Sequence, residues 1–408
     1  MRLLLVFPFI PYPPDNGGRI GFWNPIKYLS RQHEVHVAFL AEENDREHWE
    51  PLKKQCASVQ ALFRKRPTGW APMVRALVGY PPGTAGKFWD PRFTAVLQKA
   101  IKEQDIELVE FHHLHTAAYR DAAGTLPTVL REHNVEYVIW ERHARHAGLL
   151  ERLGARRVAP RVRRYEAAVA EKFDRCVVVS SADADHLRRV CPTAHIEMIP
   201  SGVDTEYFRP EAPATDEPGT MRMVFVGAFY WAPRQHNLRI ILEEIMPRIR
   251  ARVPEAELCV VGRGIPAPLE KLAARTDGVT LIGGVPDVRP YIRSATLVLN
   301  YVESGGGIAL KVLEALAMRK AVLSNPRGCE GMEVEHGREV FLAEGSDNFA
   351  DAAARLLRDA LLRQRLADAG YELIRRKYAW SVLVRQFDAM YSSLREEHAS
   401  AAVKILTA

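Results

Sequence analysis

Short apolar runs alternate along the chain with longer segments of mixed polarity, which is the pattern of β-strands that alternate with amphipathic helices. In the first half, the predicted strands are Leu3–Phe9, Glu34–Leu40, Leu108–Phe111, Thr128–Glu132 and Arg175–Ser180. In the second half, they are Met223–Gly227, Glu257–Val261, Val279–Ile282, Leu297–Tyr301, Ala321–Ser324 and Val340–Ala343. Strands connected through helices form parallel sheets with helices on both faces, so the pattern predicts the α/β class.

An irregular stretch rich in proline, aspartate and glycine, from Pro200 to Gly219, separates the two sets of strands. This composition is typical of a linker, and 408 residues are enough for two domains. We predict Rossmann-like domains at residues 1–200 and 201–377, and a segment at 378–408 whose helix crosses back to the first domain. Two doubly wound domains would bind ligands in a cleft outside the carboxyl ends of their strands.

A glycine loop in the second half is the strongest chemical signal. Gly305–Gly307 follow a predicted strand and lead into the helix-forming run Leu310–Met318. A glycine loop that opens a helix leaves backbone N–H groups available to a phosphate. Lys311 and Glu314 lie three residues apart on one face of that helix, where they could bind a phosphate and a sugar hydroxyl. The alternatives are a surface lysine and a surface glutamate on an ordinary helix.

The bulk composition narrows the class of protein. The hydrophobic content of 47% supports sizeable cores, and no apolar run is long enough to span a membrane. The net charge of +6 and the pI near 9.0 suit a phosphorylated ligand or an anionic membrane surface, and are too diffuse for a nucleic-acid interface. The cysteines are widely spaced and form no Cys-x-x-Cys pair, which predicts free thiols and no zinc site: Cys56, Cys176, Cys191, Cys259 and Cys329.

The N-terminus imitates a signal peptide, because Arg2 is followed by an apolar run. That run is short, prolines interrupt it, and no small-residue cleavage site follows. It therefore predicts a buried first strand, and we expect a cytoplasmic protein, with the inner face of the cell membrane as an alternative place of work.

Several short motifs follow one another along the chain. They are Asp15-Asn16-Gly17-Gly18, Ser201-Gly202-Val203-Asp204 with Phe208, Phe225-Val226-Gly227, Val260-Val261-Gly262, Gly283-Gly284-Val285 with Asp287, and Leu313-Glu314-Ala315. Each is weak alone, but in this order and spacing they resemble the retaining, nucleotide-sugar-dependent glycosyltransferases of family four, from Met1 to about Leu394. The run Trp231-Ala232-Pro233 is similar to one in the sugar transferases of bacterial exopolysaccharide clusters.

The resemblance implies the GT-B fold, in which two doubly wound Rossmann-like domains face each other across a cleft. It implies that the first domain binds the acceptor and the second binds a nucleoside diphosphate sugar. The implied reaction moves the sugar, with retention of configuration, to a hydroxyl of a glycan or lipid-linked acceptor, as in polysaccharide biosynthesis. No cofactor and no metal are expected, because the nucleotide sugar is itself the donor substrate.

The resemblance, together with the charge and position of the residues, suggests roles for single side chains. His112 and Lys311 would be catalytic, although the adjacent His113 and His115 leave the register of the histidine open. Glu314 would accept hydrogen bonds from the ribose, Gly262 and Val285 would lie against the nucleoside, and His133 would line the acceptor side. The donor phosphates and sugar would be bound by Gly17, Gly18, Arg19, Arg234, Gly305, Gly306, Gly307 and Ile308.

The chain departs from the family pattern at three places. The first of two glutamates that the family usually carries falls on Gly306, and the phosphate-binding arginine expected after Gly227 is Ala228. The phosphate-binding lysine expected a few residues later is also missing, and Gln235-His236-Asn237 occupies its region. Because the usual cations are missing, Lys311 becomes the favoured phosphate ligand, with Arg19 and Arg234 as the other candidates.

Two further segments have a chemical and a structural interpretation. Asp183-Ala184-Asp185 imitates a metal-binding Asp-x-Asp, but Asp183 follows Ser180 by three residues, which predicts a helix cap instead. A basic amphipathic stretch could contact anionic lipid, or could simply be a solvated helix face. Its arginines are Arg142, Arg145, Arg152, Arg156, Arg157, Arg161, Arg163 and Arg164, and its apolar residues are Leu149, Leu150, Leu153, Val158 and Val162.

Three other functions remain open. An epimerase or hydrolase of the same fold would want clustered carboxylates in the cleft, and none are evident from the sequence. A nicotinamide-dependent enzyme needs Gly-x-Gly-x-x-Gly directly after the first strand, where this chain has a long proline-rich loop and Gly17-Gly18-Arg19-Ile20-Gly21. A non-catalytic partner subunit is conceivable because of Gly306 and Ala228.

Overall fold

The computed structural model describes residues 1–65, 79–146, 149–211, 221–303 and 309–407. The chain divides into two compact units. The first comprises Met1–Ser201 with Leu383–Ala408, and the second comprises Gly202–Val382. None of the helices in the described ranges combines the length and apolar character needed to cross a bilayer.

The first unit is built on a parallel sheet whose seven described strands have the order β3-β2-β1-β4-β5-β6-β7. Its strands are β1 Arg2–Phe7, β2 Glu34–Ala41, β3 Ser58–Phe63, β4 Leu108–His112, β5 Thr128–Glu132, β6 Arg175–Val178 and β7 Ile196–Met198. Leu4 and Val6 pack into one hydrophobic cluster, while Leu3 and Leu5, which point to the opposite face, are also fully buried. Both faces of the sheet are therefore covered. This agrees with the sequence of the strand, which is apolar throughout and has no alternating polar positions that could face water.

Helices connect the strands of the first unit. They are α1 Gly17–Leu29, α2 Trp49–Gln55, α3 Pro91–Glu103, α4 Leu114–Ala117, α5 Glu136–His146, α6 Leu149–Ala170 and α7 Ser181–Val190. The last helix of the chain, Trp380–Thr407, belongs to this unit from Leu383 onward.

The second unit has a parallel sheet of six described strands in the order β10-β9-β8-β11-β12-β13. Its strands are β8 Arg222–Val226, β9 Glu257–Val261, β10 Val279–Gly283, β11 Leu297–Asn300, β12 Val322–Ser324 and β13 Phe341–Leu342. Its helices are α8 Ala232–Ile240, α9 Met246–Arg252, α10 Ala267–Ala273, α11 Arg289–Ser294, α12 Leu310–Ala317, α13 Ser346–Arg358 and α14 Ala360–Leu373. The label α15 is given to the helix Trp380–Thr407, which belongs to the first unit from Leu383 onward. Alternate residues of β8 pack into two separate hydrophobic clusters, so this sheet is also buried on both faces.

The prediction of two parallel, doubly wound sheets is confirmed, and the ends of the predicted strands lie within two residues of the observed ends. Two strands were not predicted, β3 and β7. Every residue of β3 is only partly buried, and β7 has no fully buried residue. Neither edge strand therefore has the continuous apolar run that marks a central strand. The predicted linker lies partly outside the described residues, at 212–220.

Each sheet has one position where the strand order reverses. In the first unit, β1 pairs with both β2 and β4, and in the second unit β8 pairs with both β9 and β11. The connections that leave the carboxyl ends of two such central strands run in opposite directions, which opens a crevice between them. Ligands of open α/β sheets bind at these points, so the ends of β1 and β4 and the ends of β8 and β11 are where functional residues are expected.

Candidate functional site

The loop after β1 leads directly into helix α1. Asn16 caps this helix, and its side-chain oxygen accepts a hydrogen bond from the backbone N–H of Arg19 at 3.1 Å. Gly17 and Gly18 are the first two helical residues. The Arg19 guanidinium lies 3.3 Å from a carboxylate oxygen of Asp15, so its charge is partly compensated by a neighbour. The predicted glycine residues thus lie at the N-terminus of a 13-residue helix, beside a cation.

His112 ends β4 and is completely buried. Its Nε2 lies 3.1 Å from a carboxylate oxygen of Glu110, and its Nδ1 lies 3.2 Å from Nε2 of His133. Burial lowers the pKa of His112, against the opposing effect of Glu110. The structure therefore brings together the two histidines that sequence reasoning assigned separately to the sugar and to the acceptor side.

Glu110 is held in turn by two residues that sequence reasoning missed. The hydroxyl of Tyr391 donates a hydrogen bond to Glu110, and Arg131 lies 3.7 Å from the same carboxylate. Although burial opposes ionisation, His112, Arg131 and Tyr391 hold the pKa of Glu110 below its ordinary value. The signal was available, since Glu110 and Arg131 are charged residues inside otherwise apolar strands, but the tyrosine comes from a helix 281 residues away in the chain.

In the second unit, three side chains fix the chain that leaves β11. The backbone N–H of Glu303 donates to the side-chain oxygen of Asn237 at 2.9 Å, and Asn325 hydrogen bonds to both backbone groups of Val302. Arg327 donates to the carbonyl oxygen of Glu303. This chain enters the glycine loop, and the predicted residues Gly305, Gly306, Gly307 and Ile308 themselves lie outside the described residues.

Arg234 lies on the first turn of α8, the helix that follows β8, three residues before Asn237. Its guanidinium has no ion pair or hydrogen bond with any described residue, and its Nη1 is buried without a partner. Burial lowers the pKa of Arg234, and no neighbouring charge offsets this effect. A half-buried cation, with one fully buried nitrogen and no counter-charge among the described residues, therefore lies at the switch point of the second sheet.

Lys311 and Glu314 lie together on α12, as predicted from their spacing, and they form an ion pair. The Lys311 amine is 2.9 Å and 3.1 Å from the two carboxylate oxygens of Glu314. The Glu314 side chain is only 2% exposed, whereas that of Lys311 is 30% exposed. Burial raises the pKa of Glu314 and the Lys311 charge opposes this shift. The amine of Lys311 is thus paired with the Glu314 carboxylate in this structure.

Gly262 lines a cavity of about 440 Å³ at the carboxyl ends of β9 and β10. A Cβ atom on Gly262 would lie 1.8 Å from the carbonyl oxygen of Gly227, so a side chain there would separate β8 from β9. Val285 follows the cavity-lining residue Gly284 and is packed against a hydrophobic cluster. The same cavity contains one charged residue of each sign, Arg263 and Glu270.

The aspartates of the apparent Asp-x-Asp motif have a structural role. Ser180 caps α7, its hydroxyl accepting from the backbone N–H of Asp183 at 3.1 Å and donating to the Asp183 carboxylate at 2.6 Å. The prediction that this motif is a helix cap is confirmed.

Family comparisons divide the chain at the same linker. Residues 16–207 match the model of Glycosyltransferase Family 4, and residues 220–359 match that of Glycosyl transferases group 1. A GDP-mannose-dependent alpha-(1-6)-phosphatidylinositol monomannoside mannosyltransferase of Mycobacterium tuberculosis is 29% identical over 211 residues, 47% of this chain and 54% of that protein. The chain thus spans about half the length of these mannosyltransferase relatives. An uncharacterized 44.6 kDa protein in the cps region of Klebsiella pneumoniae is 21% identical over 86% of this chain and 89% of that protein.

Solved structures share the fold over almost the whole chain. Sucrose-phosphate synthase from Thermosynechococcus elongatus has a TM-score of 0.73 at 17% identity, covering 96% of this chain and 98% of the other. Anabaena HepE in complex with UDP and glucose has a TM-score of 0.70 at 14% identity, covering 96% and 100%. The two matched segments are both those of glycosyltransferase families and together cover most of the chain, and the solved structures share its GT-B fold.

Proposed function

We propose that the protein transfers a sugar from a nucleoside diphosphate sugar to a hydroxyl of a glycan or lipid-linked acceptor, with retention of configuration. The second unit binds the donor and the first unit binds the acceptor. The bond between the anomeric carbon and the diphosphate breaks, the acceptor oxygen bonds to that carbon, and the acceptor proton leaves with the diphosphate. The named mannosyltransferase relatives and the cps-region relative support a role in glycolipid or polysaccharide synthesis.

The observation on which the proposal depends is the isolated charge of Arg234. Keeping a cation partly buried, with one nitrogen fully buried and no counter-charge among the described residues, costs free energy, which a protein tolerates where a ligand supplies the opposite charge. The departing diphosphate is such a ligand, and stabilising its charge accounts for much of the catalysis in a reaction of this kind. The phosphate-binding arginine of the family is replaced by Ala228 in this chain, and Arg234 lies a little further along the same segment. We therefore assign to Arg234 the phosphate-binding role of the missing arginine.

The other candidate residues complete the donor site. Glu314 accepts hydrogen bonds from the ribose hydroxyls, and Lys311 keeps that buried carboxylate ionised and in place. The cavity beside Gly262 receives the base, with Val285 at its edge. His112, fixed between Glu110 and His133, is assigned to positioning the sugar, and Gly17, Gly18 and Arg19 at the N-terminus of α1 are assigned to binding phosphate.

The basic stretch on α6 gives the proposed contact with a membrane. Its apolar residues Val158 and Val162 are only 1% exposed, because they pack into the core of their own unit, so they are not available to lipid. Leu153 remains 52% exposed. The exposed basic residues of this helix are Arg152, Arg156, Arg157, Arg163 and Arg164. We propose that this face meets anionic headgroups by charge, and brings the enzyme to a lipid-linked acceptor at the inner face of the membrane.

A substitution at Arg234 tests the proposed function, because its effect on the free energy of unfolding should differ in sign from that of a structural arginine. Arg234→Met should lower turnover by about 10²–10³-fold, the usual loss for one transition-state charge stabiliser. It should also raise the free energy of unfolding, since an unpaired buried charge disappears. A structural arginine would show the opposite change in stability. Arg239→Met, an exposed arginine on the same helix that pairs with Glu243, serves as the matched control.

The readout is release of nucleoside diphosphate from a panel of sugar nucleotides, with and without a lipid acceptor extract. Wild-type protein should release it and Arg234→Met should not, while Arg239→Met behaves as wild type. A protein that binds sugar nucleotides but neither hydrolyses nor transfers them would instead be a non-catalytic partner subunit. Turnover in Arg234→Met equal to that of the control would remove Arg234 from the donor site.

A further inference from the structure

Two histidines and a glutamate converge in the first unit, where β4 passes into α4 and close to the start of α5. His113, His115 and Glu136 each offer one potential ligand atom, and these three atoms lie within 4.8 Å of one another. The Nε2 atom of His115 is 3.8 Å from a carboxylate oxygen of Glu136. The chain brings the three together from two different elements, because His113 and His115 flank Leu114 and Glu136 begins α5.

The histidine nitrogens in this cluster lack partners. Nδ1 of His113 and both ring nitrogens of His115 are buried with no hydrogen bond to any described residue. Buried polar atoms are normally paired, and leaving one unpaired costs about 1–3 kcal/mol. Several such atoms around one point, without partners among the described residues, are typical of a site that a bound ligand completes. A cation would accept the lone pairs that the protein leaves unused.

The surroundings hold the three side chains in place. The hydroxyl of Thr84 donates to one carboxylate oxygen of Glu136 at 3.0 Å, which leaves the other oxygen facing His115. The ring of Phe88 packs against His115 with a centroid distance of 4.7 Å. His113 adopts a φ of 65°, a strained conformation for a residue with a side chain. An outer group that hydrogen bonds to a ligating carboxylate, as Thr84 does here, is typical of metal sites.

We propose that His113, His115 and Glu136 form a binding site for a divalent transition metal of the zinc class, with water completing the coordination. Two imidazoles and one carboxylate are ligands that zinc uses when it keeps an open position. Calcium and magnesium prefer sets made of oxygen alone, so the two nitrogens disfavour them. The metal would tie α4 to the start of α5, and this role is separate from the proposed transfer reaction. The cysteine spacing predicted no zinc site, and it gives no information about a site built from histidine and glutamate.

Metal titration of the intact protein tests the site without relying on activity. Chelator-treated protein is titrated with Co²⁺, whose visible absorption reports the coordination, and then with Zn²⁺ as a competitor. The variants are His115→Gln and Glu136→Gln, and the control is His48→Gln, a histidine of the same unit whose side chain is 32% exposed. Circular dichroism checks that each variant is folded.

We expect wild type and His48→Gln to bind one Co²⁺ per chain and to release it to Zn²⁺. Both cluster variants should lose about tenfold or more in affinity. If His115→Gln fails to fold, Glu136→Gln decides alone, because its amide can still accept the Thr84 hydrogen bond. Absence of binding to wild type, or equal affinity in all four proteins, would overturn the proposal.

Discussion

Removing the charge of Lys311 should affect both turnover and stability, for reasons that its contacts make explicit. Lys311→Ala takes away both hydrogen bonds to the Glu314 carboxylate, which is only 2% exposed and cannot turn to water. Hydrogen bonds to charged groups contribute about 1.5–3 kcal/mol. Because the Lys311 side chain is itself 30% exposed, we expect the lower part of this range, a loss of about 2 kcal/mol in the free energy of unfolding.

The pH dependence of that loss has a definite sign. Burial already raises the pKa of Glu314 above its ordinary value of 4.5, and Lys311 opposes the shift. Without Lys311 the pKa rises further, so the folded protein holds the proton more tightly than the unfolded chain does. The free energy of unfolding of Lys311→Ala should therefore fall as pH rises above about 4.5, more steeply than in wild type.

Urea unfolding, followed by circular dichroism at several pH values, measures these changes. In the double variant Lys311→Ala/Glu314→Gln the buried charge is absent, so we expect a coupling of about 1–2 kcal/mol between the two sites. The matched control is Arg375→Ala, whose partner Glu372 is equally spaced but exposed. It should change stability by less than about 1 kcal/mol.

Turnover of Lys311→Ala should fall about 10²–10³-fold if the lysine also contacts the diphosphate. Lys311→Arg should recover only part, because the planar fork does not replace a point charge in a tight site. The reasoning would be refuted by a Lys311→Ala protein that matches the Arg375→Ala control in stability and keeps wild-type turnover. In that case Arg19 or Arg234 would supply the charge alone.

Three further predictions follow from the proposed function. Early product should keep the anomeric configuration of the donor, and an NMR spectrum showing the opposite anomer would count against the assignment. Transfer should persist in EDTA, because the Asp183 motif is a helix cap; activity that is lost in EDTA and restored by manganese would contradict this. Wild-type protein should bind anionic vesicles in a salt-sensitive manner, each arginine near the surface contributing about 1 kcal/mol at most; equal binding to neutral vesicles, or no weakening in Arg156→Glu/Arg157→Glu, would exclude the α6 face.

Much of the fold could be predicted from the sequence because central parallel strands are buried on both faces. Short, continuous apolar runs such as Leu3–Phe7 and Leu297–Asn300 are typical of such strands. The edge strands β3 and β7 were not predicted, because half-buried strands do not have this continuous apolar pattern. Local pairs were also predictable, and the Lys311–Glu314 spacing and the Ser180 cap are examples.

Long-range contacts could not be predicted in this way. Glu110, His112, Arg131 and Tyr391 come from two neighbouring strands and the last helix, and only the tertiary fold brings them together. Charge balance was equally hidden. The sequence favoured Lys311 over Arg234 as the phosphate ligand, but the structure pairs Lys311 with a carboxylate and leaves Arg234 without a partner among the described residues. Whether a charged side chain has an ion-pair partner depends on the tertiary fold. Sequence spacing predicts such a partner only when both residues lie on the same helix.

The central claim is that the second unit binds a nucleoside diphosphate sugar, and a thermal-unfolding screen tests it most directly. The purified protein is heated with nucleoside diphosphates, nucleotide sugars and NAD, alongside Arg234→Met. A true donor at about 100 times its dissociation constant should add roughly 2.7 kcal/mol to the stability of the wild-type protein, and much less to that of the variant. No stabilisation by any nucleotide sugar, or stabilisation by NAD alone, would contradict the account.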